Sequence, residues 1–185
     1  MAMTGISLAM RLPISFESLE SRDNPSVFGM PWPDGDHLTL SFAPDGTSIA
    51  GTPSNFQQLA SKLGPQSEYQ ILEAFETWVV NANLNIGLVP DAGAAFGVGR
   101  AVQGDPRFGD IRIGGVPLAS DVGAITTPYL LFDDSSGEVV VNTAAPFPSG
   151  ALNLQTVMLH EAGHAFGLPE GVVSPASRIT LHLPA

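Results

Sequence analysis

The chain has no cysteine. That excludes disulfides and any thiolate metal site. Charge is also scarce: 14% of residues are charged, and 7 basic residues face 18 acidic ones, for a net charge of −11. So little positive charge argues against nucleic acid or an anionic membrane as a partner. Long apolar runs are missing too, and none approaches the length of about 18 residues that a membrane-spanning helix needs. The start holds only a short apolar patch, Ile6 to Met10, without a basic leader, so no signal peptide is recognisable there.

What is present suits one globular domain. The chain has 185 residues, of which 44% are apolar, enough to bury a real core. Glycine and proline are plentiful, at 20 and 16 residues, which predicts many connections and few helices. Residues 1–30 lack clear periodicity, and 1–35 read as an N-terminal linker or pro-segment, with the domain proper at 36–185. Alternation of Leu38, Leu40 and Phe42 predicts a half-buried strand over 37–43, closed by the turn Pro44-Asp45-Gly46-Thr47. A short helix is expected over 56–63. A longer one follows from Ser67 to about Asn81, opened by a capping box of Ser67 with Gln70. Its apolar face is read as Leu72, Phe75, Val79 and Ala82, flanked by Ile71 and Trp78. Further strands are expected at 85–90, 109–114, 122–127 and 137–142, with a Gly- and Ala-rich loop at 91–107. Asn153 is a plausible N-cap for a last helix with Leu154, Val157, Met158 and Ala162 on its apolar side. The order predicts an α+β, mixed α/β fold: a small mixed sheet carrying two main helices.

The chemistry concentrates at His160-Glu161-Ala162-Gly163-His164 and the residues after it. On a helix, residues four apart share a face, so His160 and His164 can both reach one ion. Neutral imidazole is a good zinc ligand, and a catalytic zinc keeps three protein ligands with one position open. Glu161, next to the first ligand, is placed to take a proton from a water the metal has acidified. Gly167 can end the helix in a left-handed conformation and let the chain double back. Glu170 follows that turn, and a carboxylate oxygen can ligate zinc. The bland reading of the same five residues is a core helix with two satisfied histidines, because His-Glu-x-x-His alone fixes few positions.

The longer pattern, with its added glycine and third ligand position, resembles that of the metzincins. The whole order looks like the catalytic domain of bacterial matrixin-like metalloproteases, over about residues 36–179. The residues that carry the likeness are Leu-Thr-Leu-Ser-Phe at 38–42, Ala-Phe-x-x-Trp at 74–78 and Gly-Asp-Ile-Arg-Ile at 109–113. They continue with Gly-Glu-Val-Val-Val-Asn at 137–142 and Val-Met-Leu-His-Glu-Ala-Gly-His-Ala-Phe-Gly-Leu at 157–168. The resemblance implies a twisted, mostly parallel five-stranded sheet with one antiparallel edge strand, here 122–127. It implies a cleft between that edge and the site helix, in which an extended peptide or protein substrate adds as a strand. It implies one catalytic Zn2+ held by His160, His164 and Glu170, with Glu161 as general base. It also implies an extracellular or secreted protein.

The chain departs from the family pattern at three places. Glu170 replaces the third histidine. No methionine follows Met158, so Ile179, within Pro175-Ala176-Ser177-Arg178-Ile179, stands where the family has its methionine turn. Only 15 residues follow Glu170, an end that is truncated or divergent. With no cysteine, latency through a propeptide thiolate is excluded. His37 and His182 are the only other histidines, too few for the second, structural zinc of animal members. The acidic turn Asp133-Asp134 offers carboxylates to Ca2+, or is simply a solvated turn. His182 is an alternative third ligand. Three functions therefore stand at this point. One is a zinc metalloendopeptidase. The second is a weak or inactive metzincin fold used as a protein-binding or surface module. The third is a zinc peptidase of another clan, with too little chain after His164 for its later ligand helix.

Overall fold

The computed structural model describes residues 29–51, 55–82, 84–98, 103–147 and 153–169. Five strands make one sheet: β1 (Leu38–Phe42), β2 (Ile86–Leu88), β3 (Ile111–Val116), β4 (Ala124–Thr126) and β5 (Glu138–Asn142). Their spatial order is β2-β1-β3-β5-β4. All neighbours are parallel except β4, which runs antiparallel to β5 at one edge. Among the described residues, α-helices α1 (Leu59–Leu63), α2 (Ser67–Ala82) and α3 (Leu154–Ala165) accompany the sheet. The mixed α/β class, the mostly parallel five-stranded sheet and its one antiparallel pair agree with the sequence reading.

Parallel strands are usually covered on both faces, and β3 is buried at all six positions. On one face Leu40, Ile111, Ile113, Val139 and Val141 pack against Ile71, Ala74 and Phe75 of α2 and Met158 and Ala162 of α3. On the other face Phe56, Phe96 and Val116 form a smaller cluster. Phe56 meets Phe96 edge-on, with ring centroids 4.2 Å apart. The Phe56 ring also lies where a side chain at position 114 would start, so glycine is required there.

Arg112 points to this second face and is only 3% exposed. Its guanidinium lies between the Phe96 and Phe108 rings, 4.4 and 4.1 Å from their centroids. Nε and Nη2 donate to the two oxygens of buried Asp91, each at 3.0 Å. Nη2 also donates to the Ala94 carbonyl. The Gly- and Ala-rich loop expected over 91–107 therefore supplies an aromatic cover, Phe96, and the counter-charge, Asp91, for a cation in the middle of the sheet. A buried charge this costly is tolerated only when paired and hydrogen-bonded.

Three local expectations need correction. The capping box is not formed. Ser67 is already in the helix, its hydroxyl has no hydrogen-bond partner, and the Gln70 amide is taken by the Gln66 carbonyl. With that amide spent, the serine oxygen has nothing to cap. The buried stripe of α2 is centred on Ile71, Ala74 and Phe75, with Trp78 half-buried, whereas Ala82 is exposed. That is the same 3–4 spacing turned by one position, set by where the sheet lies. Finally, the pairing registers shorten β2 and β4 to three residues each and carry β3 on to Val116.

Candidate metal and catalytic site on helix α3

Helix α3 is tied down along its length. At its start the Asn153 side chain accepts from the Thr156 amide at 2.9 Å, the N-cap expected from sequence. In its middle the indole of Trp78 donates to the Leu159 carbonyl at 2.7 Å. At its end the indole of Trp32 donates to the Ala165 carbonyl at 2.8 Å. Trp32 in turn stacks at a tilt on Tyr129, with centroids 4.7 Å apart. Gly167 has φ +88, and its amide bonds the His164 carbonyl while the Leu168 amide bonds the Gly163 carbonyl. That pair of bonds is a Schellman ending, which satisfies carbonyls the helix leaves over and favours glycine at the left-handed position. Gly167 thus has the conformation its place in the motif predicted.

This turn sets the chemistry of His164. Its Nδ1 lies 2.7 Å from the Leu168 carbonyl oxygen. A carbonyl only accepts, so Nδ1 carries the proton and Nε2 keeps its lone pair. That lone pair points at His160, whose Nε2 is 2.9 Å away. The two rings stand nearly perpendicular, with centroids 4.5 Å apart. His164 is buried, and His160 half-buried.

The donor set fits zinc at these two positions. With Zn–N near 2.05 Å and a tetrahedral angle, ligating nitrogens sit about 3.3 Å apart. The observed 2.9 Å needs only a few tenths of an ångström of opening. A carbonyl partner on the far ring nitrogen is the usual outer support of a zinc histidine. Without metal the same geometry is a His160 N–H donating to His164. Among the described residues no group of three or more His, Cys, Asp or Glu side chains converges on one point.

Glu161 is 5% exposed. Its carboxylate turns toward the edge strand, where the Thr126 hydroxyl donates to Oε2 at 2.6 Å. Glu170, the expected third ligand, lies outside the described residues, as do His182, the 175–179 segment and residues 1–28. His37 is exposed and bonded to Asp34, whose carboxylate raises its pKa. At the acidic turn, the Asp133 carboxylate accepts from the Ser135 amide, an ordinary turn contact. Sequence reasoning missed Thr126 and Trp32. Nothing in a three-residue strand or an isolated tryptophan signals that either touches α3, because both contacts are made across the fold.

Among the described residues no helix is long and apolar enough to cross a membrane. No protein-family model matches the chain, and no curated protein does either.

Proposed function

We propose that the chain is a zinc-dependent metalloendopeptidase of the metzincin type, built on a matrixin-like catalytic domain. The observation that carries this is the convergence of His160 and His164 Nε2 to 2.9 Å, with His164 held in the ligating tautomer by the Leu168 carbonyl. His160 and His164 would hold the metal, with Glu170 assigned as third ligand from its place in the motif. Zinc, when bound, supplies Lewis acidity toward a scissile carbonyl and makes a water acidic at neutral pH.

The chain's own residues do the rest. Glu161 accepts the proton of the attacking water and passes it to the leaving amine. Its burial excludes bulk water from the carboxylate, which strengthens electrostatic interactions there. Among the described residues β4 is an edge strand beside α3, a geometry suited to an extended peptide. An extracellular setting belongs to the same proposal.

The test is casein cleavage by zinc-loaded wild type and by Glu161→Gln. The expected result is cleavage by wild type and at least a hundredfold loss in the variant, at unchanged zinc content. Wild type that binds zinc and cleaves nothing would overturn the peptidase assignment and favour a binding module on this fold.

A further inference from the structure

Among the described residues, β4 forms one edge of the sheet and also touches the carboxylate of Glu161. Its hydrogen bonds to β5 use odd-numbered residues. The Thr127 amide donates to the Glu138 carbonyl, the Gly137 amide to the Thr127 carbonyl, and the Asn142 amide to the Gly123 carbonyl. In an antiparallel pair these bonds alternate along the strand. Ala124 and Thr126 therefore turn their amide and carbonyl groups away from β5, to the outer edge of the described sheet. Side chains alternate as well. Ile125 is half-exposed at 51%, while the Thr126 hydroxyl reaches α3 and donates to Glu161 at 2.6 Å.

From this juxtaposition we infer that Thr126 is a positioning residue for the proposed peptidase reaction. It holds the Glu161 carboxylate with its hydroxyl while its main chain receives the substrate strand. The inference rests on the peptidase reading above and deepens it. A hydroxyl donor on one carboxylate oxygen restrains the orientation of the group. A hydroxyl-to-carboxylate bond is charge-assisted and short, and 2.6 Å falls in that range. The same residue presents its amide and carbonyl to the outer edge of the described sheet. A peptide strand bonded there places the residue opposite Thr126 at a fixed distance from the base. Substrate register and base orientation are then set by one residue.

The test has two parts. The first needs neither metal nor activity: a double-mutant cycle of Thr126→Val and Glu161→Ala in metal-free protein, read by urea unfolding. A charge-assisted bond predicts coupling of about tenfold or more in the unfolding equilibrium constant. The second is steady-state cleavage by the zinc-loaded full chain. Thr126→Val should lower kcat about tenfold with KM and zinc content little changed, and Thr126→Ser should restore kcat, because only the hydroxyl is needed. Coupling together with serine rescue supports the inference. Active wild type with equally active Thr126→Val overturns it, as does a cycle without coupling, and in both cases the peptidase reading stands. Inactive, zinc-free wild type overturns the peptidase reading itself and with it any catalytic role for Thr126.

Discussion

Ionisation of buried Glu138 should make the fold lose stability as pH rises through neutrality. Glu138 opens β5 and is 9% exposed. The Gly97 amide donates to its Oε1 at 2.7 Å, but the nearest guanidinium nitrogen of Arg112 is 4.0 Å away and its fork is committed to Asp91. Burial therefore dominates and pushes the carboxyl from 4.5 up to about 7; the Gly97 amide and Arg112 pull it down, and Asp133 and Asp134 push it further up. The folded state then holds this proton more tightly than the unfolded chain. Between about pH 4.5 and 7 the native protein binds more protons, so stability falls as pH rises and levels off above the folded pKa. At about 1.4 kcal/mol for each pH unit, the loss from pH 5 to 8 comes to about 2–3 kcal/mol. His37 has a raised pKa and contributes in the same direction, but it is exposed and common to both proteins compared. The assay is urea unfolding of wild type and Glu138→Gln from pH 5 to 8. Glutamine can still accept from Gly97 and cannot ionise, so the difference between the two should carry the slope. A wild type whose stability is flat or rises over this window refutes the reasoning, as does a variant that keeps the same slope.

Arg112→Leu should cost about 3–5 kcal/mol in urea unfolding, because it leaves the buried Asp91 carboxylate without its counter-charge. Gly114→Ala should cost about 1–3 kcal/mol, since the new Cβ meets the Phe56 ring, and thermal unfolding reads it directly. Gly167→Ala forces a side chain into the left-handed region at a cost of about 1–2 kcal/mol. Calorimetric zinc titration of the same variant should show weaker binding, because the Leu168 carbonyl that orients His164 moves with the turn.

The parts of the fold legible in the sequence were those written in local pattern. Alternation at Leu38, Leu40 and Phe42 gave β1, and the β-branched run at 138–142 gave β5. Asn153 and Gly167 marked the two ends of α3 because capping is a property of the few residues at a helix end. The pairing of His160 with His164 follows from helical spacing alone. Contacts made at long sequence separation were not legible. Trp32 on Ala165, Thr126 on Glu161 and Arg112 on Asp91 link residues 133, 35 and 21 positions apart. No period or motif encodes those distances. Ser67 shows the converse failure. A local cap signal was present, but the turn from Gly64 drew the residue into the helix and used the amide it would have capped.

The most direct measurement is zinc stoichiometry. Metal-free wild type, His164→Ala and Glu170→Ala are each equilibrated with micromolar free zinc, and bound metal is counted by atomic absorption. The account predicts one zinc per chain in wild type, none in His164→Ala, and a clear loss in Glu170→Ala. Wild type that takes up no zinc under these conditions contradicts it, and the 2.9 Å contact between His160 and His164 would then be an ordinary hydrogen bond in a helix kept for packing.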